Sequence, residues 1–163
     1  MNTVTITVDT NVLPMNDLLT AAAAPGYEFA VVTVTERELN TMPYFSAPSE
    51  VRRIPETMVW GESKWGQGIY GGKSDSECFE KVLSIISAGS FPSKTKRENL
   101  TSGQSRQLRD AMIFCVHIRE RRDIFITNDE KGFVREGRRE RLQADFATRI
   151  MTREEFLQEV SGK

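Results

Sequence analysis

Residues 3–8 alternate threonine with valine or isoleucine and run into Asp9-Thr10-Asn11. A β-branched run of period two that ends in polar residues predicts a strand followed by a turn. A short helix is expected from Asp17 to Ala24, stopped by Pro25-Gly26, and a second strand from Phe29 to Thr35 that ends at Glu36-Arg37-Glu38-Leu39. Between Met42 and Gly72 the pattern breaks up, with Pro43, Pro48, Pro55 and glycines at 61, 66, 68, 71 and 72. Loops with one short helix are expected there. From Ser74 the period becomes helical, with Phe79, Val82, Leu83, Ile85 and Ile86 on one face and Gly89 as the stop. Residues 90–104 read as a second loop. A further helix starts around Ser105, its apolar positions Leu108, Ala111, Met112, Cys115, Val116 and Ile118 recurring every three or four residues. Ile124-Phe125-Ile126-Thr127 has the short, uniformly apolar character of a buried parallel strand. Ala147–Met151 predicts the last strand, and Thr152-Arg153-Glu154-Glu155 opens the last helix through a capping box. Strands alternating with helices predict an α/β fold: a three-layer α/β/α sandwich with a mainly parallel central sheet.

The chain has 163 residues, 39% hydrophobic and 28% charged. Those values fit one globular domain over residues 1–163 and exclude a disordered or collagen-like chain. Cys78 and Cys115 match no metal-ligand spacing and read as reduced thiols. The first residues lack a basic and apolar leader pattern, and no stretch approaches the roughly 18 apolar residues of a membrane span. A cytoplasmic protein is the expectation. Net charge is −1, but residues 1–90 hold 6 basic and 11 acidic side chains while residues 91–163 hold 16 and 12. That segregation is compatible with a polyanionic substrate handled beside bound cations.

In an open parallel sheet, ligands bind outside the carboxyl ends of the strands, at the switch in strand order. Asp9 ends the first strand, Glu36 and Glu38 follow the second, and Asp129 follows Ile124–Thr127, so three strands deliver acids to one edge. Asp110 is the fourth, on an otherwise apolar helix with Ile113, Phe114 and His117 three, four and seven residues on. Two unit charges about 4 Å apart at an effective dielectric of about 20 repel by roughly 4 kcal/mol. Bound cations would relieve that repulsion. Hard oxygen ligands without a His or Cys cluster select Mg²⁺ or Mn²⁺, which can ionise a water and align it with a phosphodiester.

Val8-Asp9-Thr10-Asn11-Val12-Leu13, Thr35-Glu36-Arg37-Glu38-Leu39, Arg109-Asp110-Ala111-Met112-Ile113 and Ile126-Thr127-Asn128-Asp129-Glu130-Lys131-Gly132-Phe133 occur in this order along the chain. In order and local context they resemble the motifs of PIN-domain ribonucleases, as does the closing Ile150–Leu157. The resemblance covers residues 3–39 and 105–157. Residues 40–104 align with no motif and look like a long, helix-containing insertion. The resemblance implies metal-dependent endonucleolytic cleavage of single-stranded RNA, with Asp9, Glu38, Asp110 and Asp129 as metal-binding acids and Asn11 and Thr127 as polar supports. Glu38 is preferred to Glu36 because it directly precedes Leu39, as the acid of that family usually does. Relatives of this kind are often toxins of toxin-antitoxin pairs, so an antitoxin partner and a homo-oligomer enter as options.

Other readings compete. Asp9 and Asp129 suit turn or helix caps, and Glu36 and Glu38 suit a first helical turn. An inert PIN-like module that binds RNA or protein keeps the fold without turnover. A phosphoaspartate hydrolase would need a second Asp where Asn11 stands. Gly66-Gln67-Gly68-Ile69-Tyr70-Gly71 matches a dinucleotide fingerprint in letters only, because no strand precedes it. A mobile loop is the better reading, in which Trp60, Trp65 and Tyr70 could stack on bases. His117, two turns beyond Asp110, reads as structural. Arg119, Arg121, Arg122, Arg135, Arg138, Arg139 and Arg141, interleaved with acids, read as solvated helix faces, with phosphate recognition as the alternative.

Overall fold

The structure is a computed structural model and describes residues 3–23, 26–39, 47–59, 63 and 68–162, the side chains of residues 36, 37 and 39 excepted. Its central sheet contains β1 (Val4–Val8), β2 (Tyr27–Val32), β3 (Arg52–Ile54), β6 (Ile124–Ile126) and β7 (Arg149–Met151). The order is β3-β2-β1-β6-β7 and every pairing is parallel. A second, two-stranded parallel ribbon pairs β4 (Glu56–Thr57) with β5 (Gly68–Ile69).

Both faces of the sheet are covered, which is why its strands read as apolar runs and not as clean alternation. Ala30, Val32, Phe125 and Ile150 point to one side and join the core formed with α3 (Lys73–Ile86), α4 (Ser102–Arg119) and α5 (Arg138–Phe146). Ile6, Val8, Phe29, Val31, Ile124 and Ile126 point to the other and pack with Leu18 of α1 (Asn16–Ala21) and Phe156 of α6 (Arg153–Ser161). The result is the expected three-layer sandwich.

α4 is the spine of the first helical layer. Leu108 and every residue from Ala111 to His117 are buried, so the helix is apolar well beyond a single stripe. Phe114 is surrounded by the rings of Phe125, Phe133 and Phe146, at centroid distances of 5.1, 5.4 and 5.8 Å. One turn on, His117 places Nδ1 3.0 Å from Thr7 Oγ1 and Nε2 2.6 Å from Thr148 Oγ1. Burial holds this imidazole neutral, pushing its pKa down to about 3. It is a structural residue between helix and sheet, as expected.

Three sequence expectations change. The second strand stops at Val32 and not Thr35, because α2 (Thr33–Leu39) begins at once. Thr33, Val34 and Thr35 carry the β-branched signature of a strand, yet Val34 and Thr35 are fully buried in this helix. Tertiary burial overrides their propensity. Between residues 47 and 72 the described residues contain no helix but three short strands, each too brief to leave a period in the sequence. β3 becomes the edge of the main sheet, in register Ala30↔Arg52 and Val32↔Ile54. α4 starts three residues early, since Thr101 accepts from Gln104 N and the Gln104 side chain returns to Thr101 N at 2.9 Å. Trp60, Trp65, Gly66 and Gln67 lie outside the described residues.

Among the described residues no helix is long and apolar enough to cross a membrane. Because Phe114 joins both helix and sheet to one aromatic cluster, Phe114→Ala should lower the unfolding free energy by about 3–5 kcal/mol. Urea denaturation at neutral pH measures this, and a loss below about 1 kcal/mol would contradict the packing described.

Candidate active site

The strand order reverses direction between β1 and β6: from β1 the chain moves to β2 on one side, and β6 fills the other. The carboxyl ends of these two strands define the crevice where such sheets hold ligands. Asp9 N donates to Ile126 O at 3.0 Å, so the two strands stay paired up to their last residues.

Asp9 is 1% exposed. Its Oδ1 accepts from Thr10 N at 2.7 Å and caps the short 3-10 turn Thr10–Val12. Its Oδ2 accepts from Thr127 Oγ1 at 2.7 Å and from Asn11 Nδ2 at 2.9 Å. Asn11 Oδ1 in turn accepts from Asn128 N at 2.9 Å, tying the turn after β1 to the turn after β6. Asp129 N donates to Thr127 Oγ1 at 3.1 Å. The Asp129 Oδ1 atom accepts from the amides of Lys131 and Gly132 at 3.1 and 3.0 Å, capping a wide helical turn over Glu130–Val134. Gly132 is required by proximity, since a Cβ there would lie 2.3 Å from Asp129 Oδ2. Both aspartates are therefore caps, as the competing reading held.

Glu38 arrives from α2. Its Oε1 accepts from Arg109 Nε at 2.8 Å and its Oε2 from Thr10 Oγ1 at 2.5 Å. Thr10 Oγ1 also lies 3.2 Å from the buried Thr35 Oγ1. Asp110 follows Arg109 on α4 and is half-buried. It joins the group through space: Asp9, Asp129 and Glu38 all act on its charge.

The acids act on one another's ionisation. Desolvation, then the charges of Asp9, Asp129 and Glu38, push the Asp110 carboxyl up to about 9. Burial chiefly, with the charges of Glu38 and Asp129, pushes Asp9 up to about 7 against the opposing hydrogen bonds from Thr127 and Thr10. The field of four carboxylates is thus partly relieved by protons at neutral pH.

Five of the six residues singled out from sequence are linked by hydrogen bonds at this edge, and Asp110 is linked to them by charge alone. Asp9, Asn11, Thr127 and Asp129 are joined to one another, and Glu38 through Thr10. The side chain of Glu36 is outside the described residues. Thr10, Thr35 and Arg109 belong to the site and were not anticipated. Thr10 and Arg109 lie inside the quoted motifs, but only the fold reveals that they converge on Glu38.

The donor set, hard oxygens from four acids in mutual repulsion, fits a divalent cation such as Mg²⁺ or Mn²⁺ in chemistry. Among the described residues no group of three His, Cys, Asp or Glu is gathered tightly enough to hold a metal ion as it stands. Part of the reason is visible: Glu38 is engaged by Arg109, and both Asp9 oxygens by the chain itself.

Most of the arginine series is occupied elsewhere. Arg122 is buried against Glu28 and the Ile6 carbonyl, and Arg138 donates to the carbonyls of Ile86 and Lys131. Arg139 pairs with Glu155 at 2.9 and 2.7 Å, and Arg119 donates to Thr57 and the Pro55 carbonyl. These contacts commit those arginines within the fold, and Arg122 is buried and not on a solvated helix face as expected. Tyr70 is 79% exposed. The chain matches no protein-family model and no curated protein sequence.

An unfolded aspartate ionises near 3.8 and Asp110 in the fold near 9. Across that interval the folded chain keeps a proton that the unfolded chain releases, so this carboxyl lowers stability increasingly as pH rises. Asp110→Asn should therefore raise the unfolding midpoint in EDTA, by more at pH 8 than at pH 5. A large loss of stability at both pH values would identify Asp110 as a structural partner instead.

Proposed function

We propose that the chain is a PIN-like, Mg²⁺- or Mn²⁺-dependent endoribonuclease that hydrolyses phosphodiester bonds of single-stranded RNA. The observation that carries this reading is the convergence of Asp9, Glu38, Asp110 and Asp129, from four separate elements, into one electrostatic field at the strand switch. The preference for RNA, and a toxin role beside an antitoxin, rest on the motif resemblance alone.

When bound, the cation supplies charge neutralisation and an acidified water at neutral pH. The chain supplies position. Thr127 and Asn11 hold the Asp9 carboxylate from two sides, and Asp129 is fixed by its own turn, so two of the acids are oriented before any substrate arrives. Arg109 and Thr10 fix Glu38. Asp110 holds a proton at neutral pH, so cation entry is coupled to loss of that proton.

One observation favours the inert binding module: Glu38 is committed to Arg109 and Thr10, and an acid so engaged serves structure. The two readings separate in a cleavage assay. Labelled single-stranded RNA, with DNA alongside, is incubated with the wild type in Mn²⁺, Mg²⁺ or EDTA. The nuclease reading predicts cutting that needs metal, falls more than about 100-fold in Asp9→Asn, and falls about 10–100-fold in Thr127→Val, which removes only a support to a ligand. A folded protein that neither binds metal nor cuts either nucleic acid would favour the inert module, whereas metal binding without cutting would point to a missing substrate or partner.

A further inference from the structure

Cys78 and Cys115 are separated by 37 positions, and the fold brings their sulfurs to 3.4 Å. Cys78 sits on α3 and Cys115 on α4, at the contact between these helices, and both are free thiols. They differ in access. Cys115 is 8% exposed within the core, whereas Cys78 is half-buried and reachable from solvent.

We propose that this pair is an oxidation site at which a hydroperoxide converts Cys78 and Cys115 into an intramolecular disulfide linking α3 to α4. The sulfurs already touch, and forming the bond would close them from 3.4 Å to the roughly 2.05 Å of a disulfide. The order of events follows from the surroundings. The hydrogen bond with Cys115 and the Lys81 charge favour the Cys78 thiolate, against burial and the Asp75 charge, and the balance lowers its pKa. Burial raises that of Cys115. Cys78 is thus the attacking sulfur and Cys115 the resolving one.

In the first step the Cys78 thiolate attacks the terminal peroxide oxygen. An S–O bond forms, the O–O bond breaks, and the departing alkoxide or hydroxide takes a proton to leave as alcohol or water. In the second step the Cys115 sulfur attacks the Cys78 sulfenic sulfur. The S–S bond forms, the S–O bond breaks, and the released hydroxide takes the Cys115 proton as water. The two thiols together lose two electrons and the peroxide gains them. In a reducing compartment such a pair is the transient, redox-responsive kind and not a permanent staple. The site stands apart from the carboxylates: Cys115 lies five residues beyond Asp110, roughly 7.5 Å along α4.

The test treats the full-length chain with one equivalent of hydrogen peroxide and follows intact mass, free thiols by alkylation, and mobility on a non-reducing gel. The expected product is a monomer that has lost two hydrogen atoms and both free thiols, and that dithiothreitol restores. Before oxidation, alkylation should reach Cys78 at least about ten times faster than Cys115, as their exposure difference requires. In Cys115→Ser, Cys78 should stop at a sulfenic acid that dimedone captures. Two thiols still reduced under excess peroxide, a disulfide-linked dimer, or Cys78 driven to sulfinic acid while Cys115 stays free would each overturn the proposal. The wild-type measurements decide it even if a variant fails to fold.

Discussion

A parallel sheet sends the carboxyl end of every strand to the same edge, and in this chain that geometry puts acids within one another's field. Asp9 and Asp129 are there because β1 and β6 end there, and Glu38 because α2 starts without a linker after β2. Asp110 is there because α4 packs across the sheet behind them. Carboxylates so placed need positive charge, hydrogen-bond donors or protons. The chain supplies donors for Asp9 and Asp129 and a cation for Glu38, and leaves Asp110 with chiefly desolvation and repulsion. The unequal treatment of four similar groups is the chemical signature of the site.

α4 carries residues of several regions. Its first half carries Arg109 and Asp110 at the crevice, and its second half carries Phe114 and His117 in the core. Between Phe114 and His117, Cys115 meets Cys78 on α3. The segment ahead of α4 is pinned as well: Arg97 forms a two-pronged pair with Glu80 of α3 at 2.9 and 2.8 Å and lies over the Phe91 ring. The long connection from α3 to α4 is therefore tied back to α3.

Much of this was legible in the sequence because it depends on periodicity and on residues that end elements. The alternating run to Val8, the apolar Ile124–Ile126 and the capping box at Thr152 each gave the right element, and the acids that follow two of them gave the right edge. Failures occurred where tertiary contacts outvote local preference. Thr33-Val34-Thr35 look like strand and are helix, because burial of Val34 and Thr35 decides. β3 is only Arg52–Ile54, and its pairing with β2 is set by the sheet and not by its own pattern. The Thr10–Glu38–Arg109 arrangement and the thiol pair join residues distant in sequence, and no spacing rule could have shown them.

The proposed cation binding, coupled to release of the Asp110 proton, is the point on which the chemistry of the site turns. The direct measurement is calorimetric titration of the protein with Mn²⁺ at pH 8, in two buffers whose ionisation enthalpies differ widely. Because Asp110 keeps its proton up to about 9, the account predicts saturable binding whose apparent heat differs between buffers by an amount corresponding to release of about one proton. Asp110→Asn should remove that difference. Binding with identical heats in both buffers, or no binding at all by the folded protein, would contradict it.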